Sequence, residues 1–351
     1  MSTLTRRRLL LSPGALLAAS PSFSQPARSG STSFEQEDTC SLAIARVHQG
    51  QLSAQPEAES CRYFKGSTPV FQAASLAKPI VATLVLKRVL RGQLALDQQV
   101  SELFPDGYAH RQNLFALRED PQIDVVPPAL LRKLTVRHLL SHTAGLPNWS
   151  SRAPLKIETE PGTRWRYSGE GYVILQHILQ AETGKSLNEL ASSEVFESLG
   201  MHHTAFKLTD LIAPSLVPGR TSSGQVRQLR FPYEIAAGSL YTSASDYARF
   251  LAATLSDQEL LRLVLHAPVQ VPNAQGVLWG LGWGIQQTTE VHAIWHWGNN
   301  PGFRALAMAD LKSQSAVVVL TASDSGMPQA KRIVHRLLPG NHPALDFGLV
   351  R

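Results

Sequence analysis

The chain lacks the features that would place it in several large classes. Its basic residues are scattered, with no Lys/Arg run and no interleaved aromatics, so the formal charge of +6 reads as solvated surface. A nucleic-acid partner is not expected, because binding through phosphates needs a concentrated basic stripe. There is no G-x-x-x-x-G-K loop and no dinucleotide fingerprint. There is no G-x-S-x-G either, so the nucleophile elbow of one large hydrolase class is missing. "HLLSH" sets His138 and His142 four apart but lacks the glutamate of the zinc-protease pattern, and the pair reads as polar groups near a helix end. No metal or cofactor is implied. Beyond the N-terminal region no apolar segment reaches the length of a membrane span, and no Leu-small-small-Cys pattern precedes a cysteine. No low-complexity block and no internal repeat interrupts the chain.

What is present is an ordinary globular balance: 351 residues, 43% hydrophobic and 17% charged, enough for one large domain or two intimate ones. The opening "MSTLTRRRLLLSPGALLAASPSFSQ" has the order of an export signal: a basic start, an apolar middle and small residues before a cut. Arg6, Arg7 and Arg8 followed by Leu9 and Leu10 match a twin-arginine variant. Residues 1–27 are therefore expected to be removed, and the mature protein to be periplasmic or secreted. Only Cys40 and Cys61 occur, so an oxidising compartment allows one pairing. A hairpin folding near Gly50 would bring the two almost opposite each other. Two free buried thiols fit the sequence as well.

Strand-like runs at Cys40–His48 and Thr68–Gln72 lead to an apolar helix expected to open at Ser75 and stop at Gly92. Leu76, Ile80 and Leu84 recur along it at helical spacing, and Lys87, Arg88 and Arg91 favour its C-terminus. Residues 93–225 read as helical, with no strand ladder. From about 236, a helix at "SASDYARFLAATL" precedes the strand-like runs "VLWGLGWGI", "HAIWHWG", "RALAMADL" and "AVVVLTA". A helix at "PQAKRIVHRLL" is expected to close the fold. Strands at both ends of a helical middle give an α/β domain in two pieces, 36–92 and 226–351, carrying a helical domain at 93–225. A cleft between such lobes is the usual place for a small-molecule site.

Three stretches carry chemistry. In "FQAASLAKPI", Ser75 and Lys78 are three apart and share a helix face. A serine hydroxyl is a poor nucleophile until its proton is taken. A lysine takes it only when neutral, which burial or a positive potential at a helix N-terminus favours. The competing reading is a serine N-cap with a snorkelling lysine. In "PGTRWRYSGEGYVILQ", Tyr167 lies in a glycine-rich turn before an apolar helix, where a side chain can be aimed into a cleft. In "WHWGNNPGFRA", His296 and Gly298 end a strand-like run, and the glycine lets a ligand approach the backbone.

In this order the stretches resemble the S-x-x-K, Y-x-N and K-T-G or H-x-G motifs of the serine β-lactamase and penicillin-binding protein superfamily. The likeness is greatest to class C β-lactamases, D-Ala-D-Ala carboxypeptidases and family VIII esterases. "LTVRHLLSHTAGLP", "GKSLNELASSEVFESLGM" and "AAGSLYTSASDYARFL" extend it from about residue 40 to 325. The resemblance implies an α/β (α+β) fold, an antiparallel sheet flanked by helices with an inserted all-helical domain. It makes Ser75 the acylated nucleophile, Lys78 its base and Tyr167 the proton relay. It places His296 beside the substrate and the backbone N–H groups of Ser75 and Asn299, the latter next to Gly298, in an oxyanion hole. The implied ligand is a small ester, amide or β-lactam. Gly169 replaces the family's usual asparagine, which puts recognition of an acylamino chain in question. Trp297 replaces the commoner threonine, and Glu170 reads as a solvent-facing acid. The function expected is an exported serine hydrolase favouring esters over β-lactams or D-Ala-D-Ala peptides. The rival is a non-catalytic penicillin-binding-like sensor. The oligomeric state is left open.

Overall fold

A computed structural model describes residues 41–53, 68–115, 121–227, 230–231 and 233–351. The proposed export signal and both cysteines, Cys40 and Cys61, lie outside these residues. The strands are β1 (Leu42–His48), β2 (Gln51–Leu52), β3 (Phe71–Ala74), β4 (Tyr108–Arg111), β5 (Ile123–Val126), β6 (Gly219–Arg220), β7 (Val226–Arg227), β8 (Leu240–Thr242), β9 (Val269–Gln270), β10 (Val277–Trp279), β11 (Gly284–Gln287), β12 (His292–Asn300), β13 (Phe303–Asp310) and β14 (Ser315–Thr321). The helices are α1 (Ala77–Leu90), α2 (Val100–Leu103), α3 (Pro128–Leu131), α4 (Val136–Leu140), α5 (Gly169–Thr183), α6 (Leu187–Ala191), α7 (Ala244–Ser256), α8 (Gln258–Val264) and α9 (Met327–Leu337).

The main sheet is antiparallel, in the order β2-β1-β14-β13-β12-β11-β10-β9. Alternation along its strands sorts side chains into two layers. Ala43, Ala45, Ala305, Ala307 and Val318 share a core with residues of α1 and α7. Leu42, Ile44, Leu306, Met308 and Val319 pack with Met327, Ala330 and Val334 of α9. This is the expected α/β architecture of an antiparallel sheet flanked by helices.

Several expectations are corrected. The helix opens at Ala77; Leu76 is its N-cap and no side chain caps it, so Ser75 stands in the preceding turn. The span 93–225 is not purely helical. Its β4–β5 hairpin pairs Tyr108 with Val126 and Arg111 with Ile123, and a two-residue ladder, β6–β7, lies at its end. Nor does α9 close the fold. A short 3-10 turn at Pro343–Asp346 follows it, and Ala344, Leu345 and Val350 are buried. The helix-end cations do less dipole work than expected. Arg88 is buried and pairs with Glu182 and Glu194 across to neighbouring helical segments.

Candidate active site

Ser75 is held by a strained turn. β3 pairs with β8 through a bulge at Gln72/Ala74, and Ala74 takes a φ of 50°, a conformation costly for a residue with a Cβ. The Leu76 N–H closes the turn on the Ala73 carbonyl at 3.1 Å, and the Tyr247 hydroxyl donates to the Leu76 carbonyl at 3.0 Å. Gly298 explains itself here. A Cβ at that position would stand 2.2 Å from the Ala73 carbonyl oxygen. The close approach that Gly298 permits is therefore to the backbone of β3, and it locks β12 beside the turn that carries Ser75.

One turn into α1, Lys78 is wholly buried. Its Nζ donates to Ser75 Oγ at 3.0 Å and to the Ala237 carbonyl at 2.7 Å, and Ser75 Oγ donates to the same carbonyl at 3.2 Å. Burial holds the amine's pKa well below its ordinary value. Among the described residues no carboxylate pairs with it; its neighbours include the rings of Tyr167 at 4.8 Å and Tyr172 at 5.5 Å. The snorkelling-lysine reading is thereby excluded.

Tyr167 precedes α5, whose start is fastened by Ser168. The Ser168 hydroxyl accepts from the Gly171 N–H at 3.0 Å and donates to the Pro147 carbonyl at 2.8 Å. The Ser168 N–H donates to His142 Nδ1 at 3.2 Å. His142, at a φ of 58°, lies 4.5 Å from the Tyr167 ring, centroid to centroid. Burial raises the Tyr167 pKa and the Ser75 hydroxyl pulls it part of the way back. Its own hydroxyl is buried and makes no hydrogen bond of good geometry within the described residues.

His296 is not a titrating partner for a substrate carboxylate. It is wholly buried, its Nδ1–H donates to the Trp297 carbonyl at 2.9 Å, and burial, with the nearby Lys78, lowers its pKa to about 3. It is neutral throughout the working range. Trp297 packs against the Tyr167 ring at 4.9 Å, tilted by 34°, and lines the cleft instead.

Glu170 is buried, not solvent-facing. Its Oε1 accepts from the Ser150 N–H at 2.7 Å, and its Oε2 is 3.3 Å from His110 Nε2. His110, from the overlooked β4–β5 hairpin, meets Asp124 on its other side at 3.0 Å. Burial disfavours the imidazolium, but hydrogen bonds to Glu170 and Asp124 and their charges outweigh it, so the His110 pKa is raised. His138 closes a capping box with Thr135 at the start of α4, whereas His142 lies beyond the end of that helix, at the site. Among the described residues no cluster of three His, Cys, Asp or Glu is arranged to hold a metal ion. Among them also, no helix is long and apolar enough to cross a membrane.

Ser75 and Tyr167 open onto a cleft of about 520 Å³. Asn299 lines it beside Gly298. Asn148, Trp149, Phe115, Phe231 and Ala237 also line it, as do Leu349 and Arg351 from the segment after α9. None of these last seven was expected. The neighbourhood of Asn148 and Trp149 was flagged only by "TAGLP" just upstream. Phe347 anchors the late segment edge-on to Trp165 at 5.7 Å and Trp297 at 5.9 Å.

A serine whose hydroxyl contacts a buried lysine amine beside a half-buried tyrosine, at the mouth of a cleft, has the arrangement of an active-serine hydrolase. The Beta-lactamase family model matches residues 66–339. The chain belongs to that family of serine hydrolases. It is 22% identical over 294 residues to Penicillin-binding protein 4* of Bacillus subtilis, covering 72% of this chain and 60% of that one. It is 29% identical over 168 residues to Esterase EstB of Burkholderia gladioli, covering 39% and 38%. The chain thus spans less than two thirds of the length of these curated relatives. Among solved structures, a class C beta-lactamase aligns with a TM-score of 0.70 at 18% identity, over 87% of this chain and 92% of that one. The octameric penicillin-binding protein homologue from Pyrococcus abyssi aligns with a TM-score of 0.68 at 21% identity, over 87% and 74%. These likenesses show the β-lactamase/transpeptidase fold.

Proposed function

We propose that this protein hydrolyses small esters or amides through an acyl-enzyme on Ser75, with esters favoured over β-lactams and D-Ala-D-Ala peptides. The observation that carries the proposal is the 3.0 Å contact between Ser75 Oγ and the buried, uncompensated amine of Lys78. A neutral amine is a competent base. Oγ attacks the substrate carbonyl carbon while its proton passes to Lys78 Nζ. The carbonyl π pair moves onto oxygen, facing the backbone N–H groups of Ser75 and Asn299. The intermediate collapses, the bond to the leaving oxygen of an ester or nitrogen of an amide breaks, and Tyr167 delivers a proton to that atom while recovering one from Lys78. Water then repeats the sequence: it loses a proton to the Tyr167–Lys78 pair, its oxygen bonds the acyl carbon, and Oγ departs with that proton. A phenol whose pKa is raised stays protonated between turnovers, which suits a relay rather than a standing base.

The ester preference is supported by His296. A neutral, buried imidazole gives no cation beside the nucleophile for the carboxylate that β-lactams and D-Ala peptides carry. Export of the mature protein is part of the proposal, on the strength of residues 1–27; native material whose N-terminus is Met1 or Ser2 would contradict it. The main test is intact-mass spectrometry after fluorophosphonate treatment, followed by kcat/KM on p-nitrophenyl butyrate and nitrocefin. A single adduct on Ser75 and faster turnover of the butyrate are expected. No adduct sinks the acyl-enzyme, and a preference for nitrocefin sinks the ester reading. Acylation without turnover would mark a sensor.

A further inference from the structure

We propose that His142 is a positioning residue for the leaving-group proton: it clamps the backbone on both sides of Tyr167 and so aims the phenol at the atom that departs. The inference rests on the relay role given to Tyr167 above and adds the group that holds the relay in place.

The sequence marks His142 only as a polar group near a helix end. In the structure it grips the chain at alternate residues. Its carbonyl accepts from the Arg166 N–H at 2.7 Å, and its ring Nδ1 accepts from the Ser168 N–H at 3.2 Å. Tyr167 lies between these two anchors. His142 holds them from the left-handed region, at a φ of 58°. Few side chains visit that region readily, histidine among them, and such strain persists only where neighbouring groups hold it.

The His142 ring is wholly buried. It packs against Tyr167 at 4.5 Å, Trp279 at 5.1 Å and Tyr172 at 5.2 Å, centroid to centroid. Its Nε2 has no partner among the described residues, so the Ser168 N–H is the polar contact that sets the ring's angle. The clamp needs a neutral ring, because an imidazolium would turn an N–H towards that of Ser168. Burial, then Lys78 and His296, keep the His142 pKa well below its ordinary value. Tyr167 needs such a hold. Its hydroxyl makes no hydrogen bond of good geometry among the described residues, so its aim is set by its backbone and by the rings around it.

The test uses two esters that share an acyl group and differ in their need for a proton. p-Nitrophenolate is a weak base and departs as the anion. Ethoxide is strongly basic and must be protonated as its bond to the acyl carbon breaks. For each protein, kcat/KM on p-nitrophenyl butyrate is divided by kcat/KM on ethyl butyrate, a ratio that cancels the fraction of protein folded. Tyr167→Phe, which loses the acid itself, sets the upper limit. His142→Gly tolerates the backbone angle but has no acceptor, and should raise the ratio about tenfold or more above that of the unmodified protein. His142→Asn also tolerates the angle and returns an acceptor near the place of Nδ1, so its ratio should fall most of the way back. An unchanged ratio in His142→Gly, with both esters slowed alike, overturns the inference, as does a ratio raised equally in both variants. If His142→Gly does not fold, His142→Asn decides alone: a ratio near the unmodified one supports the clamp, and one as high as that of Tyr167→Phe overturns it. If Tyr167→Phe itself leaves the ratio unchanged, the relay reading fails and takes the inference with it.

Discussion

Replacing Lys78 by methionine separates its chemical role from its structural cost. Methionine keeps the unbranched volume against the Tyr167 and Tyr172 rings and lacks only the amine. The Ala237 carbonyl is not stranded, since Ser75 Oγ already donates to it at 3.2 Å. General-base catalysis is worth about 10²- to 10⁴-fold, so kcat/KM should fall by roughly a thousandfold, or ~4 kcal/mol of barrier. Stability should move the other way. The folded pKa of Lys78 lies below its ordinary value of 10.5. Between the two, the unfolded chain holds a proton the folded one lacks, so the folded state gains stability as pH rises, by at most about 1.4 kcal/mol per pH unit. The variant lacks this burden. It should be more stable than the unmodified protein near neutral pH, with the advantage fading as pH approaches 10.5. Urea unfolding at pH 6, 8 and 10, with kcat/KM on p-nitrophenyl butyrate, measures both. Activity within tenfold of normal, or a stability gap that does not close with rising pH, would refute the buried neutral base.

His110→Gln removes the cation held between Asp124 and Glu170. A raised folded pKa contributes stability that is complete below the ordinary histidine value and is lost as pH climbs through the folded one. The Tm gap between the unmodified protein and this variant should therefore narrow from pH 5 to pH 9, and a constant or widening gap would remove the charge from the argument. Gly169→Asn puts back the family's usual carboxamide, yet the Trp149 and Asn148 contacts leave no room for its Cβ. It should cost about 1–3 kcal/mol by overpacking and not improve nitrocefin turnover; a stable variant with faster nitrocefin hydrolysis would show that the position is open.

How much was legible in the sequence follows from how far apart the partners lie. Ser75 and Lys78 are three residues apart, so their contact needs only helical geometry, and Tyr167 and His296 stood in motifs. The Ala237 carbonyl that completes the serine–lysine contact is 162 residues from Ser75; it lies in the stretch "AAGSLYTSASDYARFL", but nothing in that stretch ties it to the serine. The β4–β5 hairpin was hidden because "YAHR" and "IDVV" are four-residue strands mixing charge with apolar groups, without clean alternation. Glu170 was misread for the same reason: an acid is placed at the surface until its buried partner is known, and His110 arrives on that hairpin. Gly298 was assigned to ligand access when its constraint is packing against Ala73, a distinction that composition cannot make.

The three buried bases around Tyr167 explain one another. His142 is lowered by burial, then by Lys78 and His296, and His296 by burial and then Lys78. A proton resting on any one would be repelled from the others, so burial and mutual repulsion both favour the neutral forms. The tautomers then differ in a useful sense. His142 Nδ1 accepts from the Ser168 N–H, so the neutral ring carries its proton on Nε2. His296 Nδ1 donates to the Trp297 carbonyl, so its Nε2 keeps a lone pair. Both Nε2 atoms are buried without a partner among the described residues, as is the Tyr167 hydroxyl. A buried donor, a buried acceptor and a phenol thus share one low-dielectric site beside Lys78. A fixed cation at position 296 would repel the proton that Lys78 is proposed to take from Ser75.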